Sequence, residues 1–249
     1  MAFMVSPSSS GLADHQRVAL DALVEDLRTI FGSRLLSLVA YDFSGSNNED
    51  LPLRTLVLVQ QVAFDDLART APLTSTWQRR GLAVPLILSR HEFDRTLDVF
   101  PLEYGSIIAD HVVILGPPPF EDTRIDETDR RRGCEQQAKS HLIHLREGFL
   151  ETRNDPRSIG KLITSSSAAF QTLLINIARL EGSDWRAAAA DRATLAAAIE
   201  ERLGVPAPLI LDVLAARNGI GSVADPSGLL ARYIDASERI WRYVDGWRG

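Results

Sequence analysis

The chain has 249 residues, enough for one large domain or two small ones, with 45% hydrophobic and 24% charged residues. These proportions are typical of a folded globular protein and exclude a disordered or collagen-like chain. The 33 acidic residues outnumber the 27 basic ones, which disfavours a broad basic surface for nucleic acid but leaves room for a local basic stripe.

The cysteine content and the apolar patterning indicate the compartment. A single cysteine, Cys134, excludes an internal disulfide and a cysteine-rich zinc or iron–sulfur site. No apolar stretch reaches the roughly 18 residues of a membrane span. The residues from Met1 to Gly11 lack the charged and apolar regions of a signal peptide. We therefore expect a bacterial cytoplasmic protein with no membrane partner.

The first half of the chain alternates helix-like and strand-like patterns. Apolar residues at three- and four-residue spacing predict a helix over Asp14–Ile30. Leu35–Tyr41 and Leu53–Val62 are predicted as neighbouring strands joined by a polar loop. A helix, a third strand, a short helix and a last strand follow at Phe64–Trp77, Leu82–Leu88, Arg90–Val99 and Val112–Leu115. This order predicts a sheet with helices on one or both faces.

The proline run Pro117-Pro118-Pro119 marks the domain boundary, because prolines have no amide donor and a fixed φ. Beyond it, five helix-length segments with short connections predict a bundle. These segments are Arg130–Leu150, Ser158–Leu180, Arg186–Leu203, Pro208–Arg217 and Ser227–Val244. We assign residues 12–116 to the first domain and 121–249 to the helical one.

The stretch FGSRLLSLVAYDFSGS, a polar loop and the strand LRTLVLV resemble the opening of a nucleotidyltransferase domain of the DNA polymerase β superfamily. The resemblance covers residues 14–116 and implies an α+β fold, with an N-terminal mixed-sheet domain followed by an all-α bundle. It also implies a Gly-Ser pair close to a nucleoside triphosphate. Two carboxylates spaced by one residue on the next strand would hold Mg²⁺, with a third on a later strand.

The acidic pair of this pattern is missing. Aligned without gaps, its two positions fall on Leu53 and Thr55, with Arg54 between them, and the third falls within Val84–Leu88. A cation at Arg54 opposes the capture of a metal ion. We therefore expect a pseudo-enzyme with a degenerate active site, no catalytic residues and no resident metal or cofactor, which acts by binding a nucleotide or a macromolecule.

The loop after the first strand supplies the candidate nucleotide site. Backbone amides at Ser44, Gly45 and Ser46, beside Asp42, can cradle a phosphate. One alternative is an active nucleotidyltransferase that holds Mg²⁺ through carboxylates of this loop, which are Asp42, Glu49 and Asp50. A further alternative is a scaffold without a ligand, and the helical half offers a surface for a protein partner or for self-association.

Polar groups in the helical half carry weaker signals. His141 and His144 lie three residues apart, a spacing that can present two metal ligands, but we favour helix packing because no helix-borne Glu completes a zinc-protease pattern. The cations of Arg130–Arg132 are flanked by acids, which favours a solvated first turn. The aromatic residues of the last helix, Trp241 among them, are predicted to seal the bundle, with nucleic acid stacking or a protein interface as alternatives.

Overall fold

The computed structural model describes residues 12–41, 52–182, 188, 190–216 and 224–248. The chain divides into two compact units between Asp126 and Glu127. None of the helices in these ranges has the length and apolar content that a bilayer-spanning segment requires.

The described residues of the first unit form five α-helices and four strands. The helices are α1 (Asp14–Phe31), α2 (Phe64–Thr70), α3 (Thr74–Arg79), α4 (Arg90–Arg95) and α5 (Pro101–Ala109). The strands are β1 (Leu35–Tyr41), β2 (Arg54–Val59), β3 (Leu86–Ser89) and β4 (His111–Leu115).

The strands form one mixed sheet in the order β3-β2-β1-β4. Strand β1 is antiparallel to both β2 and β4, whereas β2 and β3 are parallel. The first two strands are therefore antiparallel neighbours, as their patterns predict. The α+β fold class predicted from the sequence is confirmed.

Both faces of the sheet are covered, because the buried strands alternate their side chains between two cores. Leu38 and Val57 point into a core that contains the apolar face of α1 and Trp77 of α3. Val39 and Leu56, their chain neighbours, point into a core on the other face. There the rings of α4, α5 and the following segment pack edge-on or tilted, at Phe93, Tyr104 and Phe120.

Prolines account for two corrections to the predicted elements. The helix predicted over Phe64–Trp77 is two short α-helices separated by a 3₁₀ turn that contains Pro72. The strand predicted over Leu82–Leu88 is regular only from Leu86 onward, after Pro85, although Leu82 forms an isolated bridge with Leu53. A proline supplies no amide donor to a helix or a sheet ladder, so regular pairing is interrupted in both places.

Two further corrections concern the segment between β3 and β4. The helix predicted over Arg90–Val99 ends at Arg95, and a second helix, α5, begins at Pro101. The fixed φ of proline suits the first turn of a helix, which explains why α5 begins there.

The segment after the proline run packs on the first unit. The Ser37 hydroxyl donates to the Pro117 carbonyl at 3.3 Å, and the Arg90 guanidinium donates to the Pro119 carbonyl at 2.9 Å. The turn into this segment requires Gly116, because its φ is +80° and an added Cβ would lie 2.1 Å from the Leu36 carbonyl oxygen. Residues 117–126 thus belong to the first unit.

The second unit is helical throughout its described residues. Its helices are α6 (Glu127–Glu151), α7 (Pro156–Leu180), α8 (Arg192–Leu203), α9 (Ala207–Ala215) and α10 (Pro226–Gly246). Aspartates at the N-termini of three of them accept backbone N–H bonds, which explains where these helices begin: Asp155, Asp191 and Asp225. The bundle predicted from the sequence is present in the described residues, and Arg186, where its third helix is predicted to begin, lies outside them.

Candidate functional site

Three side chains stand in a row at the edge of the sheet where β1 ends and β2 begins. Tyr41 on β1 is paired with Arg54 on β2 and with His111 on β4. Paired residues of neighbouring strands project to the same face of a sheet. The chain leaves this edge after Tyr41 and returns to it at Arg54, so the row lies at the base of the loop between β1 and β2.

Arg54 places a cation at this edge. Arg54 is exposed. Its guanidinium carbon lies 5.4 Å from the centre of the Tyr41 ring, which is itself buried. A guanidinium over a tyrosine ring is attracted by the negative face of the ring. The position therefore combines a permanent positive charge with an aromatic support that orients it.

His111 occupies the other end of the row. Its Nδ1 lies 3.1 Å from the Ile108 carbonyl oxygen, and since a carbonyl only accepts, this nitrogen is the one that donates. The imidazole and the Phe120 ring are perpendicular to each other, with ring centres 4.7 Å apart. These contacts orient His111 at the start of β4.

The two positions at which the resemblance expects an acidic pair face the core beneath α1. Leu53 is buried in that core, and Thr55 is only 1% exposed, with a hydroxyl oxygen that has no hydrogen-bond partner. The adjacent positions, Arg54 and Leu56, project to the opposite face. Neither face of β2 carries a carboxylate, because the six residues of this strand are Arg, Thr, Leu and Val only.

Strand β3 also lacks an acidic residue at the third expected position. Its four residues are Leu, Ile, Leu and Ser, and Leu86 is paired with Leu56 of β2. The carboxylate that follows this strand, Glu92, serves as a helix cap. It accepts the Ser89 backbone N–H at 2.7 Å, and this bond, with the Ser89 hydroxyl, holds the pKa of Glu92 below its ordinary value.

Asp66, one of the two adjacent aspartates that follow β2, is also engaged in structure. Both oxygens of Asp66 accept bonds from Arg34 at 2.7 Å, and one of them also accepts the Ala63 backbone N–H. The hydrogen bond with Arg34 lowers the pKa of Asp66 to about 2, against the opposing effect of desolvation. Asp66 thus joins α2 to the start of β1 and is not oriented to bind a ligand.

The loop residues predicted to hold a phosphate, Asp42, Ser44, Gly45 and Ser46, lie outside the described residues. So do the alternative metal ligands Glu49 and Asp50. Within the ranges that the structure does describe, no three His, Cys, Asp or Glu side chains form a group that could hold a metal ion.

Comparison with known proteins finds likeness to solved structures. No protein-family model matches the chain, and no curated protein matches it. Among the solved structures, it is similar to spectinomycin adenyltransferase AAD(9) from Enterococcus faecialis, a structure with ATP and spectinomycin. The two chains are 14% identical, with a TM-score of 0.54, and the match covers 90% of this chain and 98% of the other. The chain has a nucleotidyltransferase-like fold. At this identity the likeness describes the fold alone.

The two histidines of α6 do not come together as metal ligands. His141 is buried, with Nε2 2.7 Å from the Tyr233 hydroxyl and its ring stacked on Phe170. His144 is exposed, with Nδ1 3.1 Å from the Glu147 carboxylate. Burial, with a smaller effect of His144, lowers the pKa of His141 to about 4, so this side chain packs as a neutral imidazole.

The remaining polar groups of the helical unit have structural surroundings. Cys134 is fully buried, and desolvation raises its pKa to about 12, which makes its thiol unreactive. Arg131 donates to Glu135 at 2.9 Å and to the Val244 carbonyl at 3.3 Å. The Trp241 ring carries the Lys139 ammonium 3.3 Å from its centre. Sequence reasoning missed this Lys139–Trp241 contact, because the two residues are about 100 positions apart in the chain.

Proposed function

We propose that this chain binds a nucleoside phosphate at the sheet edge between β1 and β2, and that it does so without metal-dependent nucleotidyl transfer. The observation that carries the proposal is Arg54, an exposed cation supported by Tyr41 at the base of the β1–β2 loop. The similar adenyltransferase is a structure with ATP, which makes a nucleotide the first ligand to consider.

The charge of Arg54 supports a metal-free mode of binding over a metal-assisted one. A divalent ion requires clustered oxygen ligands, and β2 and β3 carry no acidic residue that could supply them. An arginine neutralises phosphate oxygens directly, with planar donors that match two oxygens at once. The same charge repels a metal ion nearby. Arg54 would therefore take over the charge neutralisation that Mg²⁺ performs in a transferase.

The loop residues complete the proposed site. Backbone amides at Ser44, Gly45 and Ser46 would contact the phosphates beside Arg54, since the loop starts and ends at this edge. The site holds its ligand by charge and backbone hydrogen bonds. It has no positioned carboxylate on the two strands to activate an acceptor hydroxyl or to bridge the reacting phosphates, and so binding is not followed by transfer.

Equilibrium binding of ATP, with and without divalent ions, tests this function. We expect titration calorimetry to give dissociation constants in EDTA and in Mg²⁺ that agree within about threefold. Arg54→Ala should weaken binding about tenfold or more, because a charge-assisted hydrogen bond is lost. The matched control is Arg79→Ala, which removes an exposed arginine whose guanidinium donates to Thr76 of its own helix. Binding that disappears in EDTA would contradict the proposal.

A transfer assay separates the proposal from the active-enzyme alternative. The protein would be incubated with labelled ATP, Mg²⁺ or Mn²⁺ and acceptors that include spectinomycin, the second ligand of the similar structure. We expect no labelled product. Transfer that Asp42→Ala or Asp50→Ala abolishes would overturn the proposal and establish these loop carboxylates as metal ligands.

A further inference from the structure

The outer face of α6 carries an unusual pair of exposed apolar side chains. Among the described residues of the helical unit, the large hydrophobic side chains that remain exposed are Ile143, at 41%, and Leu150, at 75%. They lie seven residues apart, two helical turns, and so on the same stripe of α6. Exposed apolar residues that align on one helix face mark a contact surface more often than scattered ones do.

A groove runs beside this stripe. It has a volume of about 650 Å³ and is lined by residues of α6 and by Trp241 of α10. The α6 residues that matter here are Gln136, Lys139 and Ile143. The groove is long and open, which suits a helix laid along it better than an enclosed small molecule.

Charges of opposite sign lie at equal distances on either side of Ile143 along the stripe. Lys139 lies four residues before it and Glu147 four residues after it. Two copies of α6 that pack antiparallel around a two-fold axis at Ile143 would place Lys139 of each copy opposite Glu147 of the other. The same packing sets Leu150 of one copy against Gln136 in the groove of the other. An isologous dimer requires a surface that is complementary to itself. This packing meets that requirement, because it pairs opposite charges and gives each apolar side chain a contact on the other copy.

We infer that the outer face of α6 is a self-association surface, occupied by α6 of a second copy of this chain. Ile143 would pack on its symmetry mate at the centre, and Leu150 would enter the groove beside Trp241. Two equivalent ion pairs between Lys139 and Glu147 would fix the antiparallel register. In the described part of the chain, Glu147 is exposed and contacts the exposed His144 at 3.1 Å, so its carboxylate can turn toward the second copy.

Sedimentation velocity of the full chain tests this surface. A pair of crossing helices covers less than the roughly 800 Å² per partner of a standard interface, so we expect a monomer–dimer equilibrium between about 1 and 100 μM. Ile143→Asp should leave a monomer over this range. Val18→Asp is the matched control, because Val18 is an exposed apolar residue (68%) on α1 of the other unit, and it should associate like the wild type.

Charge reversal tests the register. Lys139→Glu and Glu147→Lys should each weaken the dimer about tenfold, and the double variant should restore it to within about threefold. Thermal unfolding of each variant shows whether the fold is kept, and Glu147→Lys is informative even if Lys139→Glu unfolds, because Glu147 is exposed. A wild type that stays monomeric at 100 μM, or an unrestored double variant in a folded background, would overturn the inference.

Discussion

Arg54 on β2 and His141 on α6 are two basic side chains that each contact a tyrosine, and burial gives them opposite roles. Arg54 is exposed over the Tyr41 ring and keeps its charge at the sheet edge. His141 is 8% exposed, bonded to the Tyr233 hydroxyl and neutral. A basic group beside an aromatic ring can present its charge where water reaches it, whereas burial favours its neutral form and a packing role.

The largest effect on stability is expected from introducing a charge on the buried face of β2. Thr55→Asp would place a carboxylate at a position that is 1% exposed and lies one residue from Arg54. We expect a loss of more than about 3 kcal/mol in the free energy of unfolding, because a buried charge without a partner is strongly destabilising.

Urea denaturation measures this loss, and Thr55→Val is its control. The Thr55 hydroxyl has no hydrogen-bond partner, so its replacement by a methyl group should leave stability unchanged or raise it. A Thr55→Asp protein as stable as the wild type would show that this face is open to water, contrary to the structure.

The pH dependence of stability should show the state of His141. Its folded-state pKa of about 4 lies below the ordinary 6.5, so the unfolded chain binds more protons between these values. The contribution of neutral His141 to the stability of the folded state is therefore fully present above pH 6.5 and is lost as the pH falls toward 4. The difference of about 2.5 in pKa corresponds to about 3 kcal/mol.

Denaturation series at several pH values measure this dependence. His141→Gln should flatten the profile between pH 6.5 and 4. His144→Gln, which changes an exposed histidine three residues away, should retain most of it. Equal profiles for the wild type and His141→Gln would contradict the assignment of a buried neutral imidazole.

A smaller effect is expected from the partner of His141. Tyr233→Phe keeps the ring that packs edge-on against Phe170 but removes the hydroxyl that lies 2.7 Å from His141. The buried imidazole nitrogen then lacks its partner, which should cost about 1 to 2 kcal/mol in the free energy of unfolding. Thermal or urea unfolding checks this value, and a variant at least as stable as the wild type would show that the bond contributes nothing.

The smallest effect on stability is expected at the exposed residue, Arg54. Arg54→Asp replaces an exposed cation that contacts the Tyr41 ring, and as a surface substitution it should lower the free energy of unfolding by less than about 1 kcal/mol. ATP binding should nevertheless be lost, because the site then repels phosphate. A large loss of stability in this variant would give Arg54 a structural role instead of a binding one.

Much of the fold could be predicted from the sequence, because its strong patterns are local. The bounds of β1 agree with the predicted Leu35–Tyr41, and the ends of α7 lie within two residues of those predicted. The helix α5 (PLEYGSIIA) was missed since its nine residues include a glycine and show little helical periodicity. Alternation along β2 separated its residues into two faces, but it could not tell which face α1 covers.

The site could be predicted only in part, since its contacts join distant parts of the chain. The sequence placed Arg54 between the two positions at which acids are expected, but it could not show the Tyr41 ring beneath the guanidinium. It marked His141 and His144 by their spacing alone, and the burial that distinguishes them comes from α7 and α10. The prediction for Ser44, Gly45 and Ser46 stays a prediction, because these residues lie outside the described ranges.

A crystal structure of the protein with ATP and Mn²⁺ tests metal-free nucleotide binding most directly, because the anomalous signal of manganese locates any bound ion. We expect the phosphates to contact Arg54 at the sheet edge and no protein carboxylate to hold manganese there. Manganese ions ligated by Asp42, Glu49 or Asp50 beside β1 and β2 would contradict metal-free binding.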